Sequence, residues 1–109
     1  MRTKMMLGLL VMVTFAGIAS AQDAAAGKAL FASTCAVCHG ADASANTTMG
    51  KTLKIPNFHT PEVQKQSDAE LTAIITKGKG KVMPAFEGKL TREQMSQLVA
   101  YIREVGKQQ

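Results

Sequence analysis

The sequence contains little aromatic material, with no tryptophan, one tyrosine and four phenylalanines among 109 residues. A chain of this size buries a modest core and often needs an additional staple to fold stably. No stretch of useful length shows the alternation of a β-strand, and no segment repeats. The formal charge is +5, but no basic block resembles a nucleic-acid-binding arm. Nothing resembles a catalytic triad, a phosphate loop or a carboxylate pair, so the sequence predicts a small all-α domain that needs extra apolar bulk.

The two cysteines stand three positions apart, within the run Cys35-Ala36-Val37-Cys38-His39. A Cys-x-x-Cys-His run is the attachment motif of c-type haem. Thiols at this spacing lie on one side of a helical turn, where each can form a thioether to a porphyrin vinyl group. The adjacent His39 can then place an imidazole under the iron. The motif predicts one haem c, covalently bound through Cys35 and Cys38, which would also supply the missing apolar bulk.

The N-terminus has the features of a secretory signal peptide. Arg2 and Lys4 precede an apolar stretch of about 14 residues, which is shorter than the roughly 20 residues that span a bilayer. Ala19-Ser20-Ala21 then fits the small-x-small cleavage pattern. We predict that residues 1–21 form a signal peptide and that residues 22–109 form one exported domain. An uncleaved membrane anchor is the alternative interpretation.

Three helices are predicted from caps and hydrophobic periodicity. The first is expected to begin near Asp23, a suitable N-cap, and to run toward the cysteine motif. Capping boxes open the second and third helices at Ser67-x-x-Glu70 and Thr91-x-x-Gln94. Glycines are predicted to end these two helices, at Gly78 and Gly106. The segments between the helices are expected to be loops.

A haem iron needs a second axial ligand or keeps an open position. Met95 belongs to the apolar stripe of the third helix and is better explained as core, while Met49 is better explained as a loop methionine that fills a gap. Met83 follows a loop of alternating lysine and glycine and precedes Pro84, so the backbone can turn sharply before it and is stiffened after it. A thioether there would favour Fe(II) and raise the reduction potential. Ligation by His59, giving a lower-potential bis-histidine haem, is the alternative.

Two pairs of residues match the terminal helices of a known family. Gly27 and Phe31 stand eight and four residues before Cys35, and Leu98 and Tyr101 lie in the last predicted helix. With the haem motif, they make the chain similar to small class I cytochromes c of the bacterial monohaem type, such as cytochromes c6 and c-555. The resemblance implies the all-α cytochrome c fold. In that fold the N- and C-terminal helices cross at the glycine, around a covalently bound haem.

The resemblance also implies roles for two loops. Met83-Pro84-Ala85-Phe86 resembles the family's sixth-ligand loop, which makes His39 and Met83 the expected iron ligands. Pro56 resembles the family proline whose carbonyl accepts a hydrogen bond from the axial histidine, fixing its ring and making it more electron-donating. Bacteria attach c-type haem outside the cytoplasm, so a soluble periplasmic protein without stable membrane insertion is expected.

The implied function is that of a diffusible electron carrier and not of an enzyme, because six-coordinate iron leaves no open site for substrate. A monomer is expected. The alternative is a five-coordinate or bis-histidine haem protein acting as a peroxidase or gas-binding module. Two further alternatives are a zinc site built from Cys35, Cys38, His39 and His59, and a thioredoxin-like dithiol, although the chain lacks the βαβ context of the latter.

Lysines are expected to border the exposed haem edge, where they could steer an acidic redox partner. They are Lys77, Lys79 and Lys81 beside the predicted ligand loop, with Lys28, Lys51, Lys54 and Lys89. The alternative is that these are ordinary solvated lysines in polar loops. The expected partners are therefore redox proteins and not nucleic acids.

Overall fold

The computed structural model describes residues 8, 10–12 and 16–108. Six helices follow one another: α1 (Ala16–Thr34), α2 (Ala36–His39), α3 (Thr48–Thr52), α4 (Pro61–Gln64), α5 (Asp68–Lys77) and α6 (Arg92–Lys107). Within the described ranges, extended pairing is limited to isolated bridges between Lys79 and Met83 and between Glu87 and Leu90. The prediction of an all-α fold is therefore confirmed.

The first helix begins earlier than the sequence predicted. Asp23 lies inside α1 instead of capping it, because the helix starts at Ala16. Three of the seven residues from Ala16 to Gln22 are alanine, the best helix former, and no proline stops the helix from extending backward. The polar side chain of Asp23 is exposed, so it does not disturb the packing of the helix.

The other two long helices begin at the predicted caps. Ser67 accepts a hydrogen bond from the Glu70 N–H at the start of α5, and Gly78 ends this helix with a φ of 76°. At α6, the Thr91 hydroxyl accepts from the Gln94 N–H, and the Gln94 side chain accepts from the Thr91 N–H. This reciprocal pair is a full capping box, which satisfies two amides that the first turn would leave unpaired. The helix continues one residue beyond the predicted end at Gly106.

Three short helices were not predicted. Helices α2, α3 and α4 have four, five and four residues. A helix of one turn shows no measurable hydrophobic period, so its only sequence signals are its caps. Thr47 accepts from the Gly50 N–H at the start of α3, and Pro61 occupies the first turn of α4, where its missing N–H costs nothing.

The core forms where α1 packs on α6, with α5 and α4 against other parts of α6. Phe31, which is 2% exposed, lies at its centre, 5.1 Å from the ring of Tyr101. Gly27 lies where α1 contacts α6. A side chain at this position would collide with the backbone carbonyl of Gln97, so the close contact requires glycine. The crossing of the terminal helices at this glycine agrees with the fold predicted above.

Gly27→Ala is expected to destabilise the protein. An alanine in a helix normally gains about 1 kcal/mol over glycine, but here its methyl group would push α1 away from α6. We expect the free energy of unfolding to fall by about 2 kcal/mol, measured by chemical denaturation. Ala29→Gly, at an exposed position of α1, is the control and should lose only about 1 kcal/mol of helix propensity. Unchanged or greater stability in Gly27→Ala would contradict the close contact.

Most of the predicted signal peptide lies outside the described residues. The boundary between residues 1–21 and residues 22–109 therefore stays a prediction, although α1 runs through it. None of the helices in the described ranges combines the length and the apolar character needed to cross a membrane.

Candidate functional site

The cysteine motif is held at the junction of α1 and α2. The Cys35 N–H donates to the Phe31 carbonyl (2.8 Å), which continues the hydrogen bonding of α1. The N–H groups of Cys38 and His39 both donate to the Cys35 carbonyl, at 3.2 and 3.0 Å. This tight turn keeps the two free, half-buried thiols close to the imidazole of His39. Thr47, which follows the motif in the chain, also contacts it, because its hydroxyl donates to the Cys38 carbonyl at 2.7 Å.

An apolar cavity opens beside this motif. It has a volume of about 30 Å³ and is partly open to solvent. Three of its wall residues are predicted site residues, namely Cys35, His39 and Met83. The rest of the wall is hydrophobic: Phe31, Phe58, Ile75, Phe86, Leu98 and Ile102. Cys38 is half-buried but does not belong to this wall.

His39 lies between aromatic rings. The Phe58 and Phe31 ring centroids are 4.8 and 6.0 Å from the imidazole centroid. Burial lowers the pKa of His39, so the ring is neutral at pH 7, which is the form that binds a metal. Its buried Nδ1 has no hydrogen-bond partner among the described residues. The bond that was predicted from His39 to the Pro56 carbonyl is therefore not formed in this arrangement, and Pro56 itself is exposed.

Met83 reaches the cavity from the loop between α5 and α6. Lys79 and Met83 exchange two backbone hydrogen bonds of 3.0 and 3.2 Å, which close the loop into a tight turn. After the methionine, the N–H groups of Phe86 and Glu87 donate to the carbonyls of Ile75 and Thr76 in α5, at 3.0 and 3.1 Å. These bonds fix both ends of the segment that carries Met83. The loop therefore forms one wall of the cavity, with the methionine on it.

Gly78 places this loop close to the end of α5. A Cβ at Gly78 would collide with the Met83 carbonyl and with the backbone of Pro84 and Ala85, and its φ of 76° disfavours other residues. Gly80 also has a positive φ, 61°, but nothing lies within 4 Å of its Cβ position. Gly80 therefore serves as a control for positive-φ strain without a collision, whereas Gly78 combines a restricted backbone conformation with a collision.

Gly78→Ala is expected to displace Met83, whereas Gly80→Ala is not. Gly80→Ala introduces only the strain of a positive φ, about 1 kcal/mol. Gly78→Ala adds a collision of about 1–3 kcal/mol, and the φ of 76° and ψ of −177° at this position form a backbone conformation that is essentially limited to glycine. We expect a clear difference in the midpoint of urea unfolding, together with a shift of the Met83 methyl resonance in Gly78→Ala alone. Equal effects of the two substitutions would show that the close approach at Gly78 is unimportant.

The Cys35 thiol lacks the lowered pKa of a reactive dithiol. Burial, and then the charge of the nearby Cys38, raises the pKa of the Cys35 thiol to about 11. Thioredoxin-like catalysis needs the opposite, a lowered pKa that produces a thiolate at neutral pH. Within the described ranges, no group of three or more cysteine, histidine and acidic residues could hold a metal ion. The zinc alternative is therefore not supported by the geometry.

The competing axial ligands lie elsewhere. Met95 is buried in the core, where its sulfur accepts a hydrogen bond from the Thr76 hydroxyl at 3.2 Å. Met49 lies in α3 and is 43% exposed. Both ring nitrogens of His59 face backbone carbonyls, those of Asp42 and Gln108, so neither is available to a metal in this arrangement. Among these candidates, only Met83 shares a cavity with His39.

The lysines predicted to border the site are all exposed. In the part of the chain that the structure describes, ion pairs are formed only by Arg103 with Asp68 and by Lys107 with Glu104. The lysines of the Met83 loop, Lys77, Lys79 and Lys81, therefore keep their charge unpaired. Val82, between Lys81 and Met83, is an exposed hydrophobic residue, as is Val37 of the cysteine motif.

Two contributors to the site were missed by sequence reasoning. Phe58 packs on His39, and Gly78 fixes the approach of the Met83 loop. Phe58 follows Pro56 by two residues, so its position beside a predicted site residue was an available signal. A larger groove of about 690 Å³ between α5 and α6 has neither cysteine nor histidine in its wall, and it is therefore not the predicted site.

Comparison with known proteins gives a consistent result. The family model described as Cytochrome C oxidase, cbb3-type, subunit III matches residues 22–102. The Cbb3-type cytochrome c oxidase subunit FixP of Bradyrhizobium sp. (strain ORS 278) is 37% identical over 86 residues, which cover 77% of this chain but 28% of FixP. This chain thus spans little more than a quarter of that relative.

Cytochromes c6 match over more of their own length. Cytochrome c6 of Synechocystis sp. (strain ATCC 27184 / PCC 6803 / Kazusa) is 39% identical over 84 residues, covering 77% of this chain and 67% of the relative. Cytochrome c6 of Leptolyngbya boryana is 39% identical over 80 residues, covering 73% and 89%. Among solved structures, the KustC0563 c-type cytochrome superposes with a TM-score of 0.67 at 34% identity, covering 72% of this chain and 95% of that protein.

Proposed function

Because this chain belongs to the cytochrome c family, we propose that it is a soluble periplasmic electron carrier with a His39/Met83-ligated haem. Its cofactor is the covalent haem c of that family. The observation that carries the ligand assignment is the shared wall of one apolar cavity, which contains Cys35, His39 and Met83. Cytochromes c6 match over 67% and 89% of their own length, which favours a free carrier over a piece of a larger assembly.

The residues present suit a covalent haem chemically. A neutral imidazole, a thioether and two free thiols stand at or beside a cavity whose other walls are hydrophobic. The orphaned Nδ1 of His39 fits a ring that is held through its other nitrogen. The cavity of about 30 Å³ has room for only a water molecule or two, so it must widen to accept a porphyrin. The wall carrying Met83 and Phe86 belongs to a loop, which makes it the wall expected to shift.

When bound, the haem supplies a one-electron Fe(III)/Fe(II) couple. The chain's contribution is to hold this couple in place and to set its potential. Cys35 and Cys38 anchor the group covalently, while Phe31 and Phe58 fix the plane of the His39 ring. Met83 supplies a soft sulfur donor that favours Fe(II). The hydrophobic wall would limit contact with water and stabilise the less charged state, so both features would raise the potential.

These roles also explain why we propose a carrier and not an enzyme. Phe31, Phe58 and Phe86 surround the cavity, and no titratable side chain apart from Cys35 and His39 belongs to its wall. A peroxidase needs an open iron position and a group that moves protons beside it. With both His39 and Met83 holding the iron, the site would offer neither.

We further propose that acidic redox partners dock at the exposed edge of this site. Unpaired Lys77, Lys79 and Lys81 lie at or in the loop that carries Met83, and the exposed Val82 between Lys81 and Met83 provides apolar contact. Val37 of the cysteine motif is a second exposed apolar residue of the site. Charge of one sign raises the rate of encounter with an acidic surface, while apolar residues allow a short-lived contact. A carrier needs this combination because it must both bind and leave quickly.

The visible absorption spectrum of the exported protein tests the proposed function. Sharp c-type bands in the reduced form, together with a weak far-red band of iron–methionine ligation in the oxidised form, are expected. Carbon monoxide should not bind to the reduced protein. Sharp bands without the far-red band would show that a residue other than Met83 is the sixth ligand. A high-spin spectrum that responds to carbon monoxide would favour the enzyme or gas-binding alternative.

A further inference from the structure

His59 is held between two backbone carbonyls from distant parts of the chain. Its Nε2 lies 2.8 Å from the Asp42 carbonyl oxygen, and its Nδ1 lies 3.2 Å from that of Gln108. A carbonyl oxygen only accepts hydrogen bonds, so each ring nitrogen must carry a hydrogen for both bonds to form. Only the positively charged imidazolium has two N–H groups. The geometry therefore selects the protonated ring.

One of the two carbonyls belongs to a strained loop, residues 40–45. Ala43 and Ala45 have φ values of 62° and 60°, in the left-handed region that alanine avoids. Both side chains are buried, so the conformation is part of the packed structure. Strained backbone persists only when surrounding contacts hold it. The bond from His59 to Asp42 is one of these contacts, and another is the bond from the Phe58 N–H to the Ala43 carbonyl, at 3.0 Å.

The strained loop is connected directly to the proposed haem site. The Ala45 N–H donates to the carbonyl of His39 at 2.7 Å. Phe58, the neighbour of His59 in the chain, has its ring centroid 4.8 Å from that of His39. Any movement of the segment containing Phe58 and His59 therefore reaches His39 both through its backbone and through its ring.

The second carbonyl ties this region to the C-terminal helix. Gln108 immediately follows α6, and its own N–H donates to the Val105 carbonyl at 3.1 Å. Gln64 makes a parallel link, because its Nε2 donates to the carbonyls of Phe58 and Ile102. His59 thus joins the end of α6 to the loop that follows His39.

We propose that protonated His59 is a positioning residue that fastens loop 40–45 and the end of α6 to the His39 side of the haem site, which makes that side sensitive to pH. Loss of the ring proton removes one donor, so one of the two bonds must break. The loop then loses a contact that opposes its strain. The expected effect of His59 on the reduction potential rests on the electron-carrier function proposed above.

The surroundings of His59 support this assignment. The bonds to the Asp42 and Gln108 carbonyls raise the pKa of the imidazole, and the Asp42 carboxylate adds to this effect. Among the described residues, Asp42 is the charged side chain that acts on this ring, and Tyr101 of α6 feels the same carboxylate. Since the pKa is raised above 6.5, the stabilisation is complete below pH 6.5 and is lost as pH rises through the higher folded value.

Three measurements on the holoprotein test the proposal between pH 5 and 9. Nitrogen NMR of the His59 ring should show two protonated nitrogens below pH 6.5 and one at high pH. The exchange protection of the Ala43 and Ala45 amides, corrected for intrinsic rate, should fall by about tenfold across the same step. The reduction potential should fall with it, because a positive charge that disfavours Fe(III) is lost.

Two variants sharpen the test. His59→Gln should abolish the pH steps in protection and in potential, since an amide does not titrate. Asp42→Asn keeps the backbone carbonyl and should move the steps to lower pH without abolishing them. A His59 pKa at or below 6.5, or steps that persist in His59→Gln, would overturn the proposal. The NMR and exchange measurements need no electron transfer, so their outcome is separate from that of the carrier function.

Discussion

Met83→Ala is expected to keep its haem but to lose six-coordinate iron. The thioethers form at Cys35 and Cys38, so removing Met83 leaves covalent attachment intact. The far-red band should disappear, and the reduced protein should bind carbon monoxide. We expect the potential to fall by on the order of 0.1–0.3 V, a fraction of the roughly 0.8 V over which axial ligands tune haem proteins. Spectra, carbon monoxide titration and potentiometry measure these changes.

Met49→Ala is the matched control for this substitution. It removes the same side chain from α3, at a position that is 43% exposed and has no place in the cavity wall. Its spectrum and potential should equal those of the unaltered protein. If Met83→Ala also left the far-red band and the potential unchanged, Met83 would not be the ligand. A change in both variants would point instead to a general effect of removing a methionine.

The sequence was sufficient to predict the parts of the fold that depend on local chemistry or on a long periodic pattern. The capping box of α6 formed as predicted because Thr91 and Gln94 satisfy each other's backbone partners locally. Gly27 was assigned to the helix crossing from the family pattern, and a side chain there would indeed collide with Gln97. The capping box can be predicted without knowing any distant contact. The helix crossing can be predicted because the family pattern includes the glycine.

Features with no decisive local signal, and those that depend on long-range contacts, were not predictable. Helix α1 extends to Ala16 because nothing in the alanine-rich sequence stops it, although Asp23 offers a good cap. The strain at Ala43 and Ala45 has no sequence signal, since alanine gives no warning of a positive φ. The bonds of His59 could not be predicted either, because its two carbonyl partners are 17 and 49 residues away. No local pattern encodes a contact of that kind.

In the candidate site, too, the residues of the local motif were easier to predict than those from distant segments. The haem motif fixes Cys35, Cys38 and His39 by their spacing, because attachment and ligation need adjacent residues. Met83 comes from a separate loop, and its place in the cavity depends on the fold as a whole. Pro56 was assigned from the family pattern alone, and here Nδ1 of His39 lacks the predicted bond to it. The more remote a residue is from the motif, the less its role follows from sequence.

Cys38→Ala is expected to remove most of the stably bound haem. With a single thioether left at Cys35, the porphyrin can swing about one bond, and His39 loses the geometric constraint that holds it under the iron. The remaining vinyl group stays conjugated with the porphyrin, so any haem that is retained should absorb at longer wavelength. Denaturing extraction followed by mass spectrometry measures the covalent haem, and the reduced spectrum measures the shift.

Val37→Ala is the control inside the same motif. Val37 is 79% exposed and lies between the cysteines, so its replacement keeps their spacing and changes no buried contact. Covalent haem and absorption maxima should match those of the unaltered protein. Full haem yield and unshifted bands in Cys38→Ala would mean that Cys35 alone carries the attachment. The half-buried Cys38, which lies outside the cavity wall, would then serve only to complete the turn that brings His39 into place.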